Sequence, residues 1–143
     1  MKIKDIMSRE LASSNSDDTV EHAAQLMKQY DIGSVPVCKD DKLIGIVTDR
    51  DIAIRSAASG QNPEQQKVSD IMSKVPIVGN SEMDVHSAAR MMSENQVRRL
   101  YIVDSGHLSG VVALGDISTT QAFEDNAGEA LKNISEPSQP ARM

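Results

Sequence analysis

Asp5-Ile6-Met7-Ser8 returns as Asp70-Ile71-Met72-Ser73, sixty-five residues later. Holding that offset without a gap sets Val20 on Val85, Ala23-Ala24 on Ala88-Ala89, Met27 on Met92, Leu43 on Leu108, Gly45 on Gly110, Val47 on Val112 and Asp51-Ile52 on Asp116-Ile117. A four-residue match arises by chance, whereas a register kept over about fifty residues marks a duplicated unit. The chain therefore reads as a first copy over residues 1–66 with its linker, a second over 67–126, and a tail over 127–143.

Both copies carry the same succession of local signals. A short extended stretch follows each Asp-Ile-Met-Ser, at Leu11 to Ser13 and at Pro76 to Val78. Val20, Ala23, Ala24 and Met27, like Val85, Ala88, Ala89 and Met92, recur at helical spacing, so an amphipathic helix starts near Thr19 and near Asp84, with Ser16 and Ser81 as candidate caps. Val35-Pro36-Val37-Cys38 and Leu100-Tyr101-Ile102-Val103 read as strands. Asp40-Asp41 and Ser105-Gly106 supply the turns into second strands at Leu43 to Thr48 and Leu108 to Ala113. A further helix starts at Asp51 and at Asp116. The order is strand, helix, strand, strand, helix, twice over, an α+β arrangement. Ala58 to Gln66 is a polar linker, and Ser135 to Pro140 reads as disordered.

A half of about sixty residues is marginal alone. The two copies are expected to pack through their sheets about a pseudo-two-fold axis, leaving a cleft suited to a small ligand. The 143 residues carry a net charge of −6, which disfavours a general nucleic-acid or anionic-membrane binder. No apolar run is long enough to span a membrane, and the residues after Met1 form no signal-type apolar stretch, so a cytoplasmic location is expected. One Phe, two Tyr and no Trp leave an aliphatic core with eight Met, and no stacking platform for single strands.

Gly45-Ile46-Val47-Thr48-Asp49-Arg50-Asp51 resembles the Gly-hydrophobic-x-Thr/Ser-x-x-Asp signature of CBS domains. The Asp-Ile-Met segments, the Ala-Ala…Met helices and Ile32-Gly33-Ser34-Val35-Pro36-Val37 are similar to the same family. Nearly the whole chain is covered, so it resembles a stand-alone tandem CBS pair, a Bateman module, of the kind found in small bacterial proteins of the hypoxic response protein type. The resemblance implies a non-catalytic regulatory module that binds AMP, ADP, ATP, NAD or S-adenosylmethionine between its repeats. It also implies a homodimer, with an unidentified target protein as a further partner. Carried over by position, Asp51 would take ribose hydroxyls, Thr48 ribose or phosphate, and Ile46 with Val75 or Ile77 the base, while Arg98 and Arg99 would meet phosphates. That chemistry is sound, because carboxylates accept hydroxyl hydrogen bonds with charge assistance and guanidiniums bind phosphate bidentately. The second signature keeps Asp116 but has Ala113 where Thr or Ser is expected, so a ligand there binds more weakly. For Thr48, Asp51 and Asp116 the competing role is helix capping. For Arg98 and Arg99 it is solvation or pairing with acidic residues. Tyr101 stands where the family has Pro, and either narrows the stronger site or packs.

His22, His86 and His107 fall in different contexts with no His or Cys at ligand spacing around them, so no metal is expected. Cys38, in an apolar strand, reads as a buried thiol, with a redox switch as the alternative. Met27, Met91 and Met92 lie at helical spacing as core or dimer contacts. No Gly-rich loop with Lys is present, so nucleotide binding would not imply hydrolysis. The alternative to a sensor is a ligand-free protein-interaction or stress-response dimer module.

Overall fold

The structure, a computed structural model, describes residues 1–75 and 77–119. The expected tail and the end of the second copy lie outside them. The elements run β1 (Ser14–Asn15), α1 (Val20–Tyr30), β2 (Ser34–Lys39), β3 (Lys42–Thr48) and α2 (Asp49–Asp51) in the first copy. They repeat as β4 (Val78–Gly79), α3 (Val85–Asn95), β5 (Arg99–Asp104), β6 (His107–Ala113) and α4 (Leu114–Ser118) in the second. This is the α+β order read from the sequence.

Among the described residues two compact units result: 10–75 with Ser105–Leu108, the first unit, and Met1–Arg9 with 77–104 and 109–119, the second. In the first, β1 runs parallel to β2 and β2 antiparallel to β3. In the second, β4 runs parallel to β5, which neighbours β6. The opening segment of each sequence repeat joins the hairpin of the other. Ser73 exchanges both backbone hydrogen bonds with Ile46, at 2.8 and 2.9 Å, and Ser8 does the same with Val111. The physical reason is visible in the cores. The first packs Val20, Ala23, Met27, Val35, Val37 and Val47 with Val68 and Ile71. The second packs Val85, Ala88, Met92, Leu100, Ile102 and Val112 with Ile3 and Met7. Each apolar Asp-Ile-Met segment thus covers an aliphatic sheet and helix face that would otherwise stay wet.

Gly45 and Gly110 make that approach possible. A Cβ at Gly110 would stand 2.5 Å from the Ser8 carbonyl oxygen, and one at Gly45 would stand 3.0 Å from that of Ser73. The helix caps differ from expectation. Thr19 Oγ1 accepts from the His22 N–H at 3.1 Å and Asp84 Oδ2 from the His86 N–H at 2.9 Å, so Ser16 and Ser81 do not cap. Ser81 instead donates to Asp104 through both its N–H and its hydroxyl, each at 3.0 Å. The short strands also lie slightly C-terminal of the expected stretches, because Ser14 pairs with Val37 and Val78 with Tyr101. Both hairpin turns use left-handed residues, Asp40 and Asp41 in one, Ser105 and Gly106 in the other.

Candidate functional site

In the first copy the strand-to-helix turn is built around Thr48 and Asp51. Thr48 ends β3 in extended backbone, with φ −109° and ψ 163°, and caps α2. Its Oγ1 accepts from the Asp51 N–H at 3.0 Å, and its own N–H donates to Asp51 Oδ2 at 3.0 Å. This reciprocal pair satisfies two orphan groups of the helix start and holds the carboxylate in one orientation. Ser73 Oγ approaches Asp51 Oδ1 at 3.3 Å, and Arg55 Nε lies 3.8 Å from the same oxygen. Asp51 is only 8% exposed. A nearly buried carboxylate needs such partners, and here they come from the same unit.

Beyond Asp51 the helix loosens. Residues Ile52–Ala57 are π-helical, with the Ala58 N–H bonded to the Ala53 carbonyl at 2.9 Å. The stretch leaves Ser56 Oγ buried without a hydrogen-bond partner. Arg55 also reaches the Ile71 carbonyl at 3.1 Å, fastening this stretch to the segment that carries Ser73.

The capping role anticipated for Thr48, Asp51 and Asp116 is therefore present. Ile46, Thr48, Asp51 and Val75 fall together in the first unit, and Ile77, Arg98, Arg99 and Asp116 in the second. There Asp116 Oδ2 accepts from the Ala113 N–H at 3.0 Å, and Asp116 is exposed. Ala113 has no hydroxyl to return the bond. The Arg98 carbonyl accepts from the Leu114 N–H at 2.8 Å, which sets the two arginines beside the helix start that Asp116 caps. Both are exposed, and neither forms an ion pair among the described residues. Tyr101 is buried, at 5% exposure.

Ser73 and Arg55 were missed by sequence reasoning. Ser73 could have been found, since it follows the Asp-Ile-Met motif in both copies. Arg55 lies one helical turn beyond Asp51, a spacing at which opposite charges pair. Cys38 is half-buried, and burial, with Asp41 nearby, pushes its thiol up. No cluster of three metal-ligating side chains occurs among the described residues, and none of their helices is long and apolar enough to cross a membrane.

Comparisons with known proteins agree with this architecture. The CBS domain family model matches residues 3–57 and again 68–121. The CBS domain-containing protein YhcV of Bacillus subtilis is 43% identical over 93% of this chain and 94% of its own length. Among solved structures, Hypoxic Response Protein I with two coordinated zinc ions superposes with a TM-score of 0.75 at 30% identity, covering 84% of this chain and 98% of that one. The CBS domain pair of protein MJ0100, in complex with 5′-methylthioadenosine and S-adenosyl-L-methionine, gives 0.70 at 25% identity over 87% and 98%.

Proposed function

The chain belongs to the CBS domain family, whose tandem pairs are regulatory ligand-binding modules, and from that premise we propose that this one senses an adenosine-containing nucleotide. The observation that carries the reading is Asp51. Its carboxylate is almost buried, fixed by the Thr48 N–H and offered a hydroxyl by Ser73. The Ser73 contact, at 3.3 and 3.5 Å, is long and shared between the two oxygens. Ribose hydroxyls would make shorter, charge-assisted bonds to the same acceptor. Ile46 and Val75, in the same unit, offer apolar surface to a base. In the second unit, Arg98 and Arg99 are exposed, form no ion pair among the described residues, and carry guanidiniums of the kind that bind phosphate oxygens. Binding signals only if it favours one conformation or partner over another, so the homodimer and a target protein belong to the same proposal.

The experiment is a thermal-shift panel of AMP, ADP, ATP, NAD and S-adenosylmethionine, with Asp51→Asn as the control. At about one hundred times Kd, a specific ligand adds about 2.7 kcal/mol and raises the melting temperature by several degrees. A rise that Asp51→Asn abolishes supports the reading. Flat curves across the panel would overturn it in favour of a ligand-free interaction module.

A further inference from the structure

A solvent-open cavity of about 390 Å³ lies within the first unit, lined by the half-buried Leu11, Cys38 and Leu108 and by the exposed Ser13, Asp41 and His107. It lies away from the capping box. Asp41 precedes β3 and Thr48 ends it, so a seven-residue strand, about 20 Å long, separates the two.

The duplication supplies an internal control. At the positions of Ser13, Cys38 and Asp41, the second copy has Val78, Val103 and Gly106. The three first-copy residues that bring polar atoms to the cavity lining are thus replaced by apolar residues or glycine in the other. Asp41 is also held at φ 63°, a left-handed conformation that costs a side chain free energy, and the matching Gly106 takes φ 82° without that cost. Asp41 thus places a carboxylate at the cavity in a turn position that glycine fills in the second copy. The strand is adapted as well. The β2–β3 register slips between Val37 and Cys38, so that Cys38 pairs with Leu43 and Ile44 is passed over. Bulges of this kind re-aim side chains beside binding sites.

The lining defines the guest. Asp41 is the one carboxylate among these six residues, and no Lys or Arg lines the cavity. Ser13 and His107 offer a hydroxyl and an imidazole, and Leu11 and Leu108 give apolar walls. We propose that this cavity binds a small organic cation, a primary ammonium group on a short apolar body, with Asp41 as its counter-ion. The walls of Leu11 and Leu108 hold the hydrocarbon, and Ser13 and His107 accept the remaining N–H bonds. This site is independent of the nucleotide reading.

Cys38, the chain's single cysteine, reports on occupancy. The rate of its alkylation by iodoacetamide is followed by mass spectrometry with n-butylammonium, with n-butanol as the uncharged control, and with AMP. Saturable protection by n-butylammonium alone is expected, about threefold at twice its Kd, because the free fraction falls as 1/(1 + [L]/Kd). Asp41→Gly should abolish the protection while leaving the melting temperature level or higher, and Asp41→Asn should abolish it at unchanged size. Equal protection by n-butanol would overturn the proposal, as would none from n-butylammonium or protection that survives in both variants. Protection by Zn²⁺ without protection by n-butylammonium would replace it with a metal site.

Discussion

The two strand-to-helix turns share a backbone and differ in chemistry. In the first, Thr48 and Asp51 cap each other, and the carboxylate sits at 8% exposure with Ser73 and Arg55 beside it. In the second, Asp116 accepts the Ala113 N–H from an exposed position, and the alanine returns nothing. Duplication preserved the scaffold, and divergence left one turn with a reciprocal cap around a nearly buried carboxylate. What holds the scaffold is common to both, the closure of each hairpin by an Asp-Ile-Met-Ser segment over a glycine. Fold and site can therefore be broken separately.

The largest effect is expected at the shared closure. Gly110→Ala would drive a Cβ against the Ser8 backbone oxygen, 2.5 Å away, and should cost about 3 kcal/mol in denaturant unfolding. Gly45→Ala should cost less. One of its closest neighbours, Met72 Sδ at 2.7 Å, belongs to a flexible side chain, and the Ser73 oxygen is 3.0 Å away. Equal losses would show that the two closures are equally tight. Next come the caps. Thr48→Ala should lose about 1 kcal/mol, and Ala113→Thr should regain a fraction of that in the other turn. If Ala113→Thr is neutral or harmful, the second turn is not a cap lacking only its hydroxyl.

The smallest effect separates the copies by pH. Hydrogen bonds from the Ser109 hydroxyl, at 2.6 Å, and from Ser81 hold the Asp104 carboxyl below its usual range, while the first copy has Lys39 at the matching position. A carboxylate depressed on folding contributes stability that is full above its unfolded pKa of about 3.9 and is lost as pH falls through the folded value. Ser109→Ala should therefore lower stability at neutral pH slightly and leave it little changed in strong acid, so that the acid limb of the stability curve flattens below about pH 4. An unaltered acid limb would remove Asp104 from the account.

Most of the fold was legible because the repeat gave every element twice. Val20, Ala23 and Met27 announce α1, and the same spacing announces α3. Asp40-Asp41 and Ser105-Gly106 mark the hairpin turns. The caps were harder, because Ser16, Asp17, Asp18 and Thr19 all have capping side chains. Geometry chose Thr19, the residue directly before the first helical turn. Periodicity also does not say which hairpin an Asp-Ile-Met segment will cover, since either aliphatic face would accept it. Asp51 and Thr48 stood out by motif, and the repeat also singles out Ser73, but that it reaches Asp51, 22 residues away, follows only from the folded pairing. The cavity at Cys38 depends on a bulge and two left-handed aspartates, which are visible only in three dimensions.

The proposed nucleotide site is built on Asp51 of the first turn rather than on Asp116 of the second. Calorimetric titration of the best ligand from the adenosine panel into the parent protein, Asp51→Asn and Asp116→Asn tests it most directly. At least a tenfold loss of affinity, about 1.4 kcal/mol, is expected in Asp51→Asn and a smaller change in Asp116→Asn. Parent-like affinity in Asp51→Asn, with the loss falling on Asp116→Asn, would contradict it.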